Sequence, residues 1–174
     1  DAPMTSSEYI SFKVSASSPS ESAVITWEAV SDRIGVFVSE AGTGSALNAN
    51  AYYDAYTSTA SSRFFPLRDA DKLKWEDGKK YDVALYYPFT IKMTDATSIP
   101  VSVAAEQTVP VPLTTTQLKE EQMFVSSVKS VERPENGILE MSLSPIVSFV
   151  KINVSSNLPV ACNSIKLTGE DGTA

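Results

Sequence analysis

The stretch LEMSLSPIVSFVKINV, residues Leu139–Val154, decides how the chain reads. Before Pro145 the apolar residues fall on odd numbers, Leu139, Met141 and Leu143, with Glu140 and Ser142 between them. After it the alternation settles on even numbers, Val150, Ile152 and Val154, with Lys151 and Asn153 between. Successive strand side chains point to opposite faces, so each half predicts a strand with one face in a core. Proline has no N–H to give to a ladder, so the change of parity at Pro145 predicts a bulge or a break between two strands. Consecutive strands that each cover a core on one side imply a largely antiparallel β protein.

The same alternation extends upstream. MFVSSVKSV precedes RPENG, and Asn136-Gly137 in that turn is the strongest short hairpin signal in the chain. TTTQLKEEQ, Thr114–Gln122, is the one plausible helix, two turns at most. In YDVALYYPF, Val83, Leu85 and Tyr87 alternate with Asp82, Ala84 and Tyr86, and Pro88 ends the strand. A turn at Asp77-Gly78 leads into it. Pro100, Pro110 and Pro112 make SIPVSVAAEQTVPVPL an edge strand or an extended connector.

Nearer the start, SDRIGVFVS puts Ile34, Val36 and Val38 on one face and Gly35 with Phe37 on the other. A glycine opposite the core lets an aromatic ring or another backbone lie close. NAYYDAY and SSRFFPL read as a hairpin, and AVITW (Ala23–Trp27) as a short strand. EYISFKVS is an amphipathic strand, with Ile10, Phe12 and Val14 on one face and Ser11 and Lys13 on the other. Residues 1–7 read as loose, and SASSPSES as a loop. The end, SIKLTGEDGTA, reads as a strand and turn without a completing partner, so the natural chain is expected to continue. Roughly ten strands spaced about 8–15 residues apart predict a β-sandwich.

The 174 residues fit a single β-sandwich domain. Hydrophobic residues make up 43%, enough for a packed core. The net charge of -7 argues against nucleic acid or an anionic membrane surface as partner. No apolar run is long enough to form a spanning helix. The sequence opens on Asp1, so a removed leader or an excised piece is expected. Cys162 stands alone and reads as a small core residue.

Histidine is absent, which removes His-based nucleophile systems and His-ligated metal sites. No catalytic residues, metal or cofactor are expected. Asp69, Asp71, Glu76 and Asp77 are interleaved with Arg68, Lys72, Lys74, Lys79 and Lys80, which describes a solvated, charge-mixed loop better than a glycosidase pair. The aromatics Tyr52, Tyr53, Tyr56 and Trp75 could face a glycan as a stacking platform; half-buried strand aromatics are the alternative.

Four stretches in order carry a resemblance: ITWEAVSDRIGVFVS, LKWEDGKKYDVALYYPF, VPLTTTQ followed by QMFVSS, and LSPIVSFVKINV. Together they resemble the fimbrillin family of type V pili, the Mfa-like, Bacteroides-type fimbrillins, over about Ile25–Val154. Gln122 and Pro145 depart from the family's usual Asp and His. The resemblance implies an exported lipoprotein precursor with its lipid-bearing cysteine upstream of Asp1. It implies a transthyretin-like antiparallel β-sandwich, of which this chain is mainly the N-terminal domain. It also implies a non-enzymatic pilus subunit at the outer membrane or cell surface that supports adhesion. Its partners would be other pilin subunits, in a homopolymer or with accessory pilins, and a host or bacterial surface glycan or protein.

Family members polymerise when a protease cuts after an arginine and frees a groove for a strand of the next subunit; here the first arginine is Arg33, past the first strand. The strand-exchange candidates are Ile10, Phe12 and Val14. Burying three such side chains contributes about 5–9 kcal/mol before ordering costs. A one-residue slip would turn Ser11 and Lys13 inward, so register would be strongly selected.

Overall fold

The computed structural model describes residues 8–18, 23–98, 115–120 and 122–146, with residue 155 alone beyond them. Residues 1–7, most of the SASSPSES loop, the connector with Pro100, Pro110 and Pro112, the Val150–Val154 half of the deciding stretch, Cys162 and SIKLTGEDGTA lie outside the described residues.

Among the described residues, seven strands form one closed sheet in the order β1-β4-β3-β2-β5-β6-β7. They are β1 (Ser11–Ala16), β2 (Arg33–Glu40), β3 (Ala51–Ala55), β4 (Ser61–Pro66), β5 (Tyr81–Tyr87), β6 (Phe124–Val131) and β7 (Ile138–Pro145). The helical segments among the described residues are one 3₁₀ turn at Asp69–Asp71 and α1 (Thr115–Glu120), which falls within the predicted helix. The all-β reading therefore stands. The two facing sheets expected of a sandwich are instead joined by hydrogen bonds into a barrel. What joins them is β1, antiparallel to β4 on one side and parallel to β7 on the other.

Alternation places the core as the sequence implies. Ile34, Val36 and Val38 of β2, Val83 and Leu85 of β5, and Met141 and Leu143 of β7 all point inward. Pro145 closes β7, in keeping with the break expected there.

Two sequence readings change. AVITW is not a strand but a plug: Ile25 and Trp27 are fully buried, and the Trp27 indole donates to the Val14 carbonyl at 2.8 Å. Nor does Asn136-Gly137 close a tight hairpin. The N–H of Gly137 bonds the Pro134 carbonyl, its own carbonyl accepts from the Trp75 indole at 2.9 Å, and β6 and β7 pair only at their far ends.

Gly35 is packed as its position predicts. Tyr86 lies opposite it in register, and a Cβ on Gly35 would fall inside the Tyr86 ring. The Tyr86 hydroxyl is held by the Asn50 side-chain oxygen at 2.5 Å and the Thr90 carbonyl at 2.9 Å. Burial, the largest influence, pushes the Tyr86 phenol above its usual range.

On β6 the register shifts opposite Asp82, leaving Lys129 and Ser130 as a bulge with Ser130 at φ 53°. The Asp82 carboxylate accepts from the freed Ser130 N–H at 2.9 Å and from Lys129 at 3.1 Å. These bonds, the backbone one first, hold it below the usual carboxylate range.

Val30 is a β-branched residue at φ 68° and is 73% exposed. Its side chain crowds the left-handed conformation, which costs about 1–2 kcal/mol, and exposure returns little in packing. Val30→Gly is expected to stabilise the barrel by about 0.5–1 kcal/mol after glycine's entropy is counted, raising Tm by roughly 2–4 °C in a thermal melt. An unchanged or lower Tm would rule out strain at this residue.

Candidate strand-exchange site

The site is built around β1. Ile10, Phe12 and Val14 are each fully buried, while Lys13 faces out and reaches Glu140 of β7 at 3.0 Å. Phe12 lies beside Phe64 of β4 and Leu139 of β7, and Val14 beside Ser62 and Met141. Beneath Phe12 sits the Tyr53 ring, with centroids 5.3 Å apart. The strand is fixed at both ends. Ile10 donates to the Leu73 carbonyl and Ser17 to the Leu143 carbonyl, each at 2.8 Å. The three sequence-selected side chains thus share one continuous socket whose walls are β4 and β7.

The four aromatics do not share a surface. Tyr53 points inward and is fully buried; burial raises its phenol pKa well above the ordinary value. Trp75 is buried against Tyr81, with its indole N–H spent on Gly137. Tyr52 faces the other side of β3, where the Arg33 and Arg68 guanidiniums already lie over its ring at 4.5 and 4.3 Å. Of the four, only Tyr56 is well exposed, and it packs edge-on with Phe65. A sugar ring cannot reach Tyr53 or Trp75, so these two are corrected from surface to core. The inward turn of Tyr53 follows from strand parity: Ala51, Tyr53 and Ala55 share one face, Tyr52 and Asp54 the other.

The carboxylates of the charged loop are matched to cations. Asp71 holds Arg68 at two points, 2.5 and 2.9 Å, and Asp69 holds Lys72 at 2.5 Å. Glu76 meets Lys79 at 2.8 Å. Arg33 binds Asp54 at 2.6 and 3.1 Å, and that hydrogen bonding is the main reason its guanidinium pKa is raised. Such pairing positions backbone rather than poising an acid and a base across a cleft.

A cluster that sequence reasoning missed sits where α1 meets the barrel. Leu118 enters the core, and Lys119, buried beside it, reaches Asp32 at 2.6 Å. The Asp32 carboxylate also accepts the Tyr87 hydroxyl and the Glu28 N–H, both at 2.7 Å. Lys119 follows Asp32 by 87 residues, and nothing in local periodicity pairs them.

A model of the fimbrillin-like family matches residues 20–172, and the chain belongs to that family. No curated protein matches it. Among solved structures it is similar to a candidate cell adhesion protein from Bacteroides uniformis ATCC 8492, with 18% identity and a TM-score of 0.45. The alignment covers 79% of this chain and 46% of that one, so this chain spans less than half of that neighbour's length.

Proposed function

We propose that this chain is a non-enzymatic structural subunit of a cell-surface pilus or fimbria, exported on a lipid-anchored precursor, and that it assembles by exchanging β1. Membership of a structural family supports the subunit role. The observation that carries the mechanism is the placement of β1: among the described residues it is the first strand of the barrel, it is flanked by β4 and β7, and its Phe12 and Val14, with Ile10 just ahead of it, are fully buried. Its departure would leave two unpaired strand edges above an apolar trough, and a strand of matching alternation from another subunit would refill it. The trough fixes register, because a slip of one residue would bury Lys13.

Deleting residues 1–17 and adding a peptide spanning residues 7–17 tests this. The truncated protein is expected to capture the peptide or to self-associate, with a single saturating register by NMR. A truncated protein that stays folded and does neither ends the strand-exchange reading. The glycan-platform reading gains no support from the buried Tyr53 and Trp75.

A further inference from the structure

The side chains of the trough fix the register of a strand laid into it but not its direction. The inward residues are Ile10, Phe12 and Val14, a phenylalanine between two β-branched residues, and that pattern is nearly the same from either end. The walls do not choose either. β1 runs antiparallel to β4 and parallel to β7, and a strand laid in end for end would form the opposite pair of ladders. One group beneath β1 tells the two directions apart. The Trp27 indole N–H donates to the Val14 carbonyl at 2.8 Å in the buried interior. This contact is to backbone, so it is indifferent to the side chain carried there. The ring is held in place: it meets Phe64 of β4 at 5.3 Å and 90°, and Tyr87 of β5 at 5.2 Å and 72°. The Tyr87 hydroxyl is itself bonded to Asp32 at 2.7 Å, and the Trp27 backbone N–H to the Thr59 carbonyl at 2.9 Å. Trp27 belongs to the plug, not to β1, so it would stay with the barrel when β1 leaves.

We propose that Trp27 sets the direction of whichever strand occupies the β1 position, admitting an extended segment of another subunit that runs parallel to β7. This rests on the strand-exchange reading and adds what the incoming backbone must present. In an extended strand the N–H and C=O of one residue point to one edge, and those of the next residue to the other. Turning a strand end for end, with the same side chains in the same slots, moves the carbonyls of its inward residues to the opposite edge. The indole N–H would then face no carbonyl at the Val14 position, and a buried donor without an acceptor loses the full cost of its desolvation. A slip of one residue leaves the backbone pattern unchanged and exchanges the two faces instead. Register and direction are therefore read separately, the first by Phe12 and its neighbours, the second by Trp27.

The test uses the whole chain, folded first and then cut at a protease site placed between Ser18 and Ala23, so that β1 stays seated but is able to leave. Peptides spanning residues 7–17 compete for its place, with a nitroxide at one end to report direction by NMR. In the parent, a label at the peptide's N-terminus is expected to broaden amides near Leu73 and one at its C-terminus those near Leu143. A peptide whose Val14 carbonyl oxygen is replaced by sulfur, a poorer acceptor, should compete about tenfold less well. In the Trp27→Phe chain the oxygen and sulfur peptides should compete equally, and each label should broaden both ends. The sulfur peptide on the parent stays decisive even where the phenylalanine chain does not fold. Equal competition by the two peptides in the parent, the same sulfur penalty in Trp27→Phe, or a single direction kept there overturns the role of Trp27 and leaves strand exchange standing. A cut chain that takes up no peptide at all removes both.

Discussion

Lys119→Ala is expected to cost about 3–5 kcal/mol of stability, because it strands a buried carboxylate. In the native chain the Asp32 carboxylate, nearly sealed from solvent, takes hydrogen bonds from the Lys119 ammonium, the Tyr87 hydroxyl and the Glu28 N–H. Among the described residues, only the Lys119 ammonium balances its charge. Without it the charge stays buried with two neutral donors, or water must enter the end of the barrel. Replacing both partners tells a different story. Asp32→Asn with Lys119→Met keeps volume and removes both charges, and the pair should fall within about 1–2 kcal/mol of the parent, since a buried ion pair adds little net stability over a well-packed neutral pair. Guanidinium unfolding of the parent, both singles and the double closes the cycle. A cost below about 1 kcal/mol for the lysine single would mean that the pair does not anchor α1.

Gly35→Ala carries an effect of similar size for a steric reason. The new methyl would occupy the space of the Tyr86 ring, which cannot simply swing aside. Its hydroxyl is fixed to Asn50 and Thr90, and its face stacks on Phe37 at 6.1 Å. Overpacking costs about 1–3 kcal/mol, and each hydrogen bond broken in moving the ring adds about 0.5–1.5 kcal/mol. The expected total is about 3–5 kcal/mol. Tyr86→Phe alone should cost only about 1–2 kcal/mol, because it removes the hydroxyl and keeps the ring. Urea unfolding of the two variants separates clash from lost bonding. An alanine variant as stable as the parent would mean the ring relocates freely, and the reading of Gly35 as a required gap would fail.

The sequence made strands with one wet face easy to find, because a period of two shows in a handful of residues. Ile34 to Val38, Val83 to Tyr87 and Leu139 to Leu143 all landed on the face their numbering implies. Local patterns failed where a distant partner decided the outcome. AVITW has the composition of a strand, but its tryptophan spends its N–H on Val14 and its backbone joins no ladder. Asn136-Gly137 carries a hairpin signal, yet a tryptophan 62 residues away takes the Gly137 carbonyl. Barrel closure depends on a parallel contact between the first and last strands of the barrel, which leaves no periodic trace. The burial of Ile10, Phe12 and Val14 was legible from alternation alone. Tyr53 could have been excluded from a glycan surface by the same alternation, whereas the burial of Trp75, in a loop, had no such signal.

The pairing of β1 also has a mechanical side. The strand lies between two neighbours along its length, so tension on the chain ahead of Tyr9 would pull it lengthwise past both. Its rungs would then be loaded together in shear, instead of parting one at a time as they do when an edge is peeled. Under the proposed strand exchange, a segment placed in this way would hold firm once seated, since pulling on a fibre and swapping a strand work along different paths.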